Sequence, residues 1–201
     1  MPWWGVGSAA AAPVLLIGGW TLAAARQGGG FDPAVETISA LAALDAKDRW
    51  LMTAALAGLG CCHVVTAAAL RPAAPAGRVL LAAGGVGTVL VAAYPLPVGD
   101  GDSTPHTAAA ALAFGALAAW PALARRRTGP PVLRPAVAGA AAGTLLGLVG
   151  WFVTELVREG DAVGFTERLA AGAQAVWPLV TVLSARRAAR RPGGSAPTGR
   201  R

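Results

Sequence analysis

The chain has 201 residues, of which 55% are hydrophobic and 13% charged, with a mean hydropathy of +0.54. A soluble domain carries about 25% charged residues, so the composition excludes an ordinary water-soluble fold and points to a bilayer as the solvent. The net charge of +7 does not mark a nucleic-acid binder, because the basic residues flank apolar runs and no aromatics are interleaved with them.

Spanning a bilayer takes about 20 mostly apolar residues in a helix, since every backbone polar group must be satisfied internally. Six segments qualify: 8–26, 50–70, 77–96, 105–124, 132–157 and 165–185. They predict an all-α fold, a polytopic membrane helix bundle of six transmembrane helices. It forms one domain over 1–191, and the polar tail 192–201 is expected to be disordered. The first span has no Lys or Arg before it and a long apolar run, so it reads as a span rather than a cleaved signal.

After span one the chain breaks at Gly28-Gly29-Gly30. Asp32 can then cap a helix, with Pro33 at its first position, where a missing N–H costs nothing. Glu36 falls in the first turns, favourable to the helix dipole, and has no capping duty. Val35, Ile38, Leu41 and Ala42 follow at helical spacing. The segment predicts a short amphipathic helix in the first outer loop, with Asp32, Glu36, Thr37 and Ser39 on its polar side.

Span two opens at Trp50 and contains Cys61, Cys62 and His63. Neighbours on a helix point about 100° apart, so these three cannot face one metal. The cysteines read as small buried side chains and His63 as a packed histidine. Asp100 and Asp102 lie between spans three and four and His106 opens span four, at a spacing that fits no cation loop, and no metal is expected. In span five Gly139, Gly143 and Gly147 recur every fourth residue, a spacing that lets helices approach closely. Glu155 and Arg158 end that span three residues apart and can pair. Glu167 and Arg168 open span six. Glu167, Ala171, Gln174 and Pro178 share a face there, and Pro178 cannot donate to the Gln174 carbonyl.

The charges sort by side. With six spans, twelve of the seventeen basic residues fall on the face that holds both termini, including Arg125, Arg126, Arg127, Arg186 and Arg187. Arg26, Lys47, Arg49, Arg158 and Arg168 fall on the other. All ten acids fall on that second face. The positive-inside rule places the twelve-residue face, and hence both termini, in the cytoplasm. Trp3, Trp4 and Trp120 near the inner boundary, with Trp50 and Trp151 near the outer, form an expected aromatic belt.

Five stretches in order resemble the DUF998 family of bacterial multi-pass membrane proteins: FDPAVETISAL after span one, Trp50, YPLP closing span three, His106 opening span four, and FTER opening span six. The resemblance runs from about Val14 to Arg187. It implies that the family's aromatic-Asp-Pro motif falls on Phe31, Asp32 and Pro33. Its Thr and Ser fall on Thr37 and Ser39, its histidine on His106, and its Glu-Arg pair on Glu167 and Arg168. Many members carry an acid after the serine, where this chain has Ala40. The family supplies a six-helix fold in the bacterial inner (plasma) membrane and no reaction.

Polar groups at membrane depth are functional candidates. The first expectation is a binding or accessory protein with an outward-facing polar pocket for a lipid or other amphiphile. Asp32, Thr37, Ser39, Trp50, Trp151, Arg158, Arg168 and Gln174 would contact the ligand, with Trp20 and Phe152 deeper. The second is an intramembrane enzyme using Glu36, His106, Glu155 and Glu167 for acid–base chemistry, hydrolysis or cyclisation, on a lipid or prenyl substrate. The third is a small transporter, although no inverted repeat is visible. No cofactor is expected. The partners expected are membrane lipids or an amphiphile, another membrane protein or a second copy of the chain.

Overall fold

The structure, a computed structural model, describes residues 1–99, 101 and 103–190. Asp100, Asp102, Arg191 and the tail 192–201 lie outside the described residues. Six α-helices make up the fold of the described residues: α1 (Trp3–Ala24), α2 (Trp50–Ala69), α3 (Pro75–Ala93), α4 (Thr104–Ala124), α5 (Pro135–Val157) and α6 (Val163–Arg190). Proline at the first or second position starts α3, α4 and α5, where it is preorganised and its missing N–H is no loss. Each helix packs on the next in sequence, and α6 also meets α1. The six therefore form a closed ring.

Five of these helices, α1 to α5, are long and apolar enough to cross a membrane. The expected sixth, α6, is long enough at 28 residues but carries Glu167 and Arg168 near one end, Gln174 nearer its middle, and Arg186, Arg187 and Arg190 at the other end.

The interior is layered. One apolar cluster, built on Leu16, Leu41, Met52, Leu56 and Leu59, sits at the end that carries residues 25–49. A second, built on Leu70, Leu81, Trp120, Leu133 and Val182, sits at the arginine-rich end. Trp120 is 0% exposed, so it is a core residue and not part of an aromatic belt. Trp3, at 85%, lies on the surface as expected.

Close helix approach occurs where the sequence did not signal it. A Cβ on Gly60 would lie 2.5 Å from the Gly85 carbonyl, and one on Gly85 would lie 2.6 Å from the Gly60 carbonyl. The backbones of α2 and α3 thus touch through two glycines. Gly87 meets the Ala113 backbone of α4 in the same way, at 2.8 Å. The expected stripe Gly139, Gly143 and Gly147 has nothing within 4 Å. It packs on no other helix of this chain and faces outward.

Residues 25–49 form no amphipathic helix. They run as turns with a single 3-10 turn at Ala40–Ala42. The reason lies in where their backbone groups go. The Ala34 carbonyl accepts from Phe165 N at 2.9 Å and the Val35 carbonyl from Gly164 N at 3.1 Å. The Pro33 and Glu36 carbonyls accept from Arg168 Nη1 at 2.8 and 2.7 Å, and the Ile38 N–H donates to Glu167. With these groups turned toward α6, the segment keeps the i→i+4 bond from Glu36 N to the Asp32 carbonyl at 2.7 Å but builds no ladder. The exchange satisfies α6 as well, whose first N–H groups have no intrahelical partner.

Candidate functional site

The acids of the 25–49 loop bond backbone N–H groups or an arginine. Asp32 Oδ1 accepts from Ala34 N at 2.8 Å, closing an Asx turn. Glu36 returns to accept the Asp32 N–H at 2.9 Å. It therefore has the capping duty that the sequence denied it, because the tight turn brings its carboxylate back over Asp32. Asp45 accepts from Gly99 N at 3.0 Å. Asp48 pairs with Arg26 at 3.3 Å, the one salt bridge within 4.0 Å among the described residues. Thr37 Oγ1 accepts from Ala40 N at 3.0 Å.

Arg168 joins loop and helix by carbonyls rather than by a carboxylate. Nη1 donates to Pro33, Glu36 and, at 3.0 Å, Gly164. The guanidinium carbon lies 5.9 Å from the centre of the Phe31 ring, within cation–π reach. Gly164 is required beneath it, since a Cβ there would stand 2.7 Å from the Pro33 carbonyl.

Inside the ring, between the two apolar clusters, is a cavity of about 50 Å³, room for a few water-sized groups. Most of its wall is apolar, with Leu16, Leu56, Leu59 and Phe114 contributing from α1, α2 and α4. Ser39, His63, Thr88, Glu167 and Gln174 are the polar side chains on it. Glu167 is 4% exposed and holds the Ile38 N–H. Gln174 Nε2 donates to the Phe114 carbonyl at 2.9 Å, and Thr88 donates to Gly84 O in its own helix at 2.9 Å. His63 is 0% exposed, and neither ring nitrogen has a partner.

Beside the cavity, Ser39 Oγ lies 3.1 Å from His106 Nε2, and His106 Nδ1 lies 2.8 Å from the Tyr94 carbonyl. A carbonyl only accepts, so in the neutral ring Nδ1 carries the proton and Nε2 accepts from Ser39.

The family model described as "Protein of unknown function (DUF998)" matches residues 9–184. The chain belongs to the DUF998 family. No curated protein and no solved structure matches this DUF998 chain.

The expected residues divide into two groups. Ser39, Glu167 and Gln174 share the cavity, and His106 stands behind Ser39. Glu36, Asp32, Thr37 and Arg168 hold the loop. Glu155 accepts from the Trp151 indole at 3.4 Å rather than pairing with Arg158, which is exposed. Trp50 and Trp151 are 65% and 44% exposed and do not line the cavity. Trp20 packs against the apolar cluster at the loop end, and Phe152 stacks at 5.2 Å on Phe114. The sequence of this DUF998 member marks His63 as a packed histidine, which its burial matches, and gives no sign of its place, or that of Thr88, on the cavity wall. A polar residue inside an apolar run was the signal of burial at His63. A lone Thr in such a helix gives none, because its hydroxyl commonly bonds its own helix.

Proposed function

We propose that this DUF998 protein binds the polar end of a small amphiphile in its interior cavity, and that it does so from the outer leaflet of a bacterial plasma membrane. The observation that carries the reading is His63. A buried polar group without a hydrogen bond costs about 1–3 kcal/mol, and His63 keeps two such nitrogens on the wall of a cavity it shares with Gln174 and Glu167. A hydroxyl or carbonyl entering that space would meet donors and acceptors on three helices, while its hydrocarbon would lie along Leu16, Leu56 and Leu59. At about 50 Å³ the cavity suits the end of such a molecule and not a whole lipid.

This orientation takes α6 as a sixth crossing, which puts both ends of the bundle's chain on one side. The polar residues at the start of α6 are spent inward on the loop and the cavity, so they do not face lipid. Nine described arginines, Arg71, Arg78, Arg125, Arg126, Arg127, Arg134, Arg186, Arg187 and Arg190, lie at the end opposite residues 25–49. On the positive-inside rule that end is cytoplasmic and both termini are inside.

Acid–base chemistry on the bound molecule is a second reading, favoured by the position of the Glu167 carboxylate on the cavity wall. The four-residue set first expected does not assemble, because Glu36 and Glu155 are engaged elsewhere.

The binding reading is tested with protein purified in mild detergent and a radiolabelled long-chain primary alcohol. Saturable binding is expected, weakened at least tenfold in His63→Leu. Absence of saturable binding to the wild-type chain would refute it.

A further inference from the structure

We propose that Ser39 is a nucleophile activated by His106, and that the chain hydrolyses a carboxylic ester whose carbonyl end enters the interior cavity. The inference rests on the amphiphile-binding reading and adds a reaction to it.

Three features of Ser39 point this way. Its hydroxyl is directed at a base: Oγ donates to His106 Nε2 at 3.1 Å. The base is oriented by a third group, since the Tyr94 carbonyl at 2.8 Å fixes the tautomer that leaves Nε2 free to accept. Nucleophile, base and orienting group in series are the arrangement that raises the reactivity of an alcohol. Here a neutral carbonyl orients the imidazole, so stabilisation of the imidazolium is weaker than a carboxylate would give.

The second feature is rigidity. The residues on either side of Ser39 are held by their N–H groups, Ile38 by Glu167 and Ala40 by Thr37 Oγ1 at 3.0 Å. Glu167 is thus a positioning residue for the serine. His106 is fixed in turn at the start of α4, 7% exposed, with its N–H capped by Ser103 at 3.4 Å. Placement of this kind lowers the entropic cost of reaction.

The third feature is depth. Ser39 belongs to the loop that closes one end of the bundle, yet it lines the cavity. It lies between the aqueous side of the loop and the apolar wall. An ester whose carbonyl end enters the cavity presents its reacting carbon at the same place. Leu16, Leu56, Leu59 and Phe114 offer the adjoining hydrocarbon an apolar wall.

The reaction balances without a co-reactant other than water. Ser39 Oγ bonds to the ester carbonyl carbon while its proton passes to His106 Nε2. The bond to the alcohol oxygen breaks, and that oxygen takes the proton from Nε2. Water then attacks the acyl-serine, giving a proton to Nε2. The acid leaves as Oγ recovers that proton.

An alkyl fluorophosphonate, which forms an adduct with base-activated serines, is applied to the full chain in detergent micelles, and the adduct is located by peptide mass spectrometry. An adduct on Ser39 is expected. His106→Gln should slow its formation by on the order of a hundredfold, with the thermal unfolding midpoint recorded alongside. Hydrolysis of p-nitrophenyl octanoate should fall in parallel and vanish in Ser39→Ala. Should wild-type Ser39 stay unmodified, the nucleophile assignment is overturned whatever the variants do. Binding of the radiolabelled alcohol to the same wild-type preparation separates the two ideas. Alcohol bound without an adduct removes the reaction alone, and an adduct without alcohol binding removes the binding reading alone.

Discussion

Glu167 on α6 accepts the backbone N–H of Ile38, 129 positions earlier in the chain. This contact joins the loop after α1 to the start of α6 and sets one wall of the cavity. It also places a carboxylate in the bundle interior without an ion pair, since Arg168 beside it turns to the carbonyls of Pro33, Glu36 and Gly164.

Removing that acceptor should be costly, and removing only its charge should not. Glu167→Leu leaves the Ile38 N–H buried and unsatisfied, a loss of about 1–3 kcal/mol. Glu167→Gln keeps an oxygen for it and should unfold within about 1 kcal/mol of wild type. Chemical unfolding in micelles, followed by circular dichroism, distinguishes the two. Equal loss in both variants would mean that the negative charge, not the hydrogen bond, holds the loop.

Arg168→Ala removes three hydrogen bonds and the contact with Phe31 at once. Hydrogen bonds to a charged group are worth about 1.5–3 kcal/mol each and are not additive. Limited proteolysis between residues 25 and 49 should accelerate by at least tenfold, while the helices resist. Arg168→Lys should restore only part of the protection, because an ammonium lacks the planar fork of donors.

His63→Leu should separate binding from stability. The substitution deletes two unpartnered nitrogens and fills their place with hydrocarbon. Apo protein should therefore be as stable as wild type or more so, by about 1 kcal/mol, while retention of the labelled alcohol falls. A destabilised variant would show that His63 has a partner in solution.

Glycine substitutions should follow the observed contacts and not the sequence motif. Gly85→Ala drives a methyl into the Gly60 carbonyl and should destabilise by more than about 2 kcal/mol. Gly143→Ala meets open space and should be neutral or gain up to about 1 kcal/mol from helix propensity. Thermal unfolding of the two variants side by side gives the comparison.

Sidedness is open to substituted-cysteine labelling on a background lacking Cys61 and Cys62. A membrane-impermeant maleimide should label Gly29→Cys in intact cells, and Arg127→Cys only after permeabilisation. The reverse pattern would invert the topology and move the cavity mouth to the cytoplasm.

Sequence alone determined the helical class, the membrane as solvent and the sorting of charge between the two ends. Those properties are local sums: about 20 apolar residues make a span wherever they occur, and Gly28-Gly29-Gly30 or Pro75 punctuates it without reference to anything distant. The same local reading put an amphipathic helix at residues 32–42, because Asp32, Pro33 and the spacing of Val35, Ile38 and Leu41 satisfy every rule for one. Only tertiary structure decided otherwise. The carbonyls of residues 33–36 and the amide of Ile38 find partners on α6, more than a hundred positions away, and so turn away from the helix axis. Long-range pairing of this kind also decided which polar residues face the cavity. Glu167 and Gln174 share a helix face with it, and that much is readable from their spacing. That His63 and Thr88 would stand on the same wall, and that Ser39 would meet His106, follows from how six helices close into a ring.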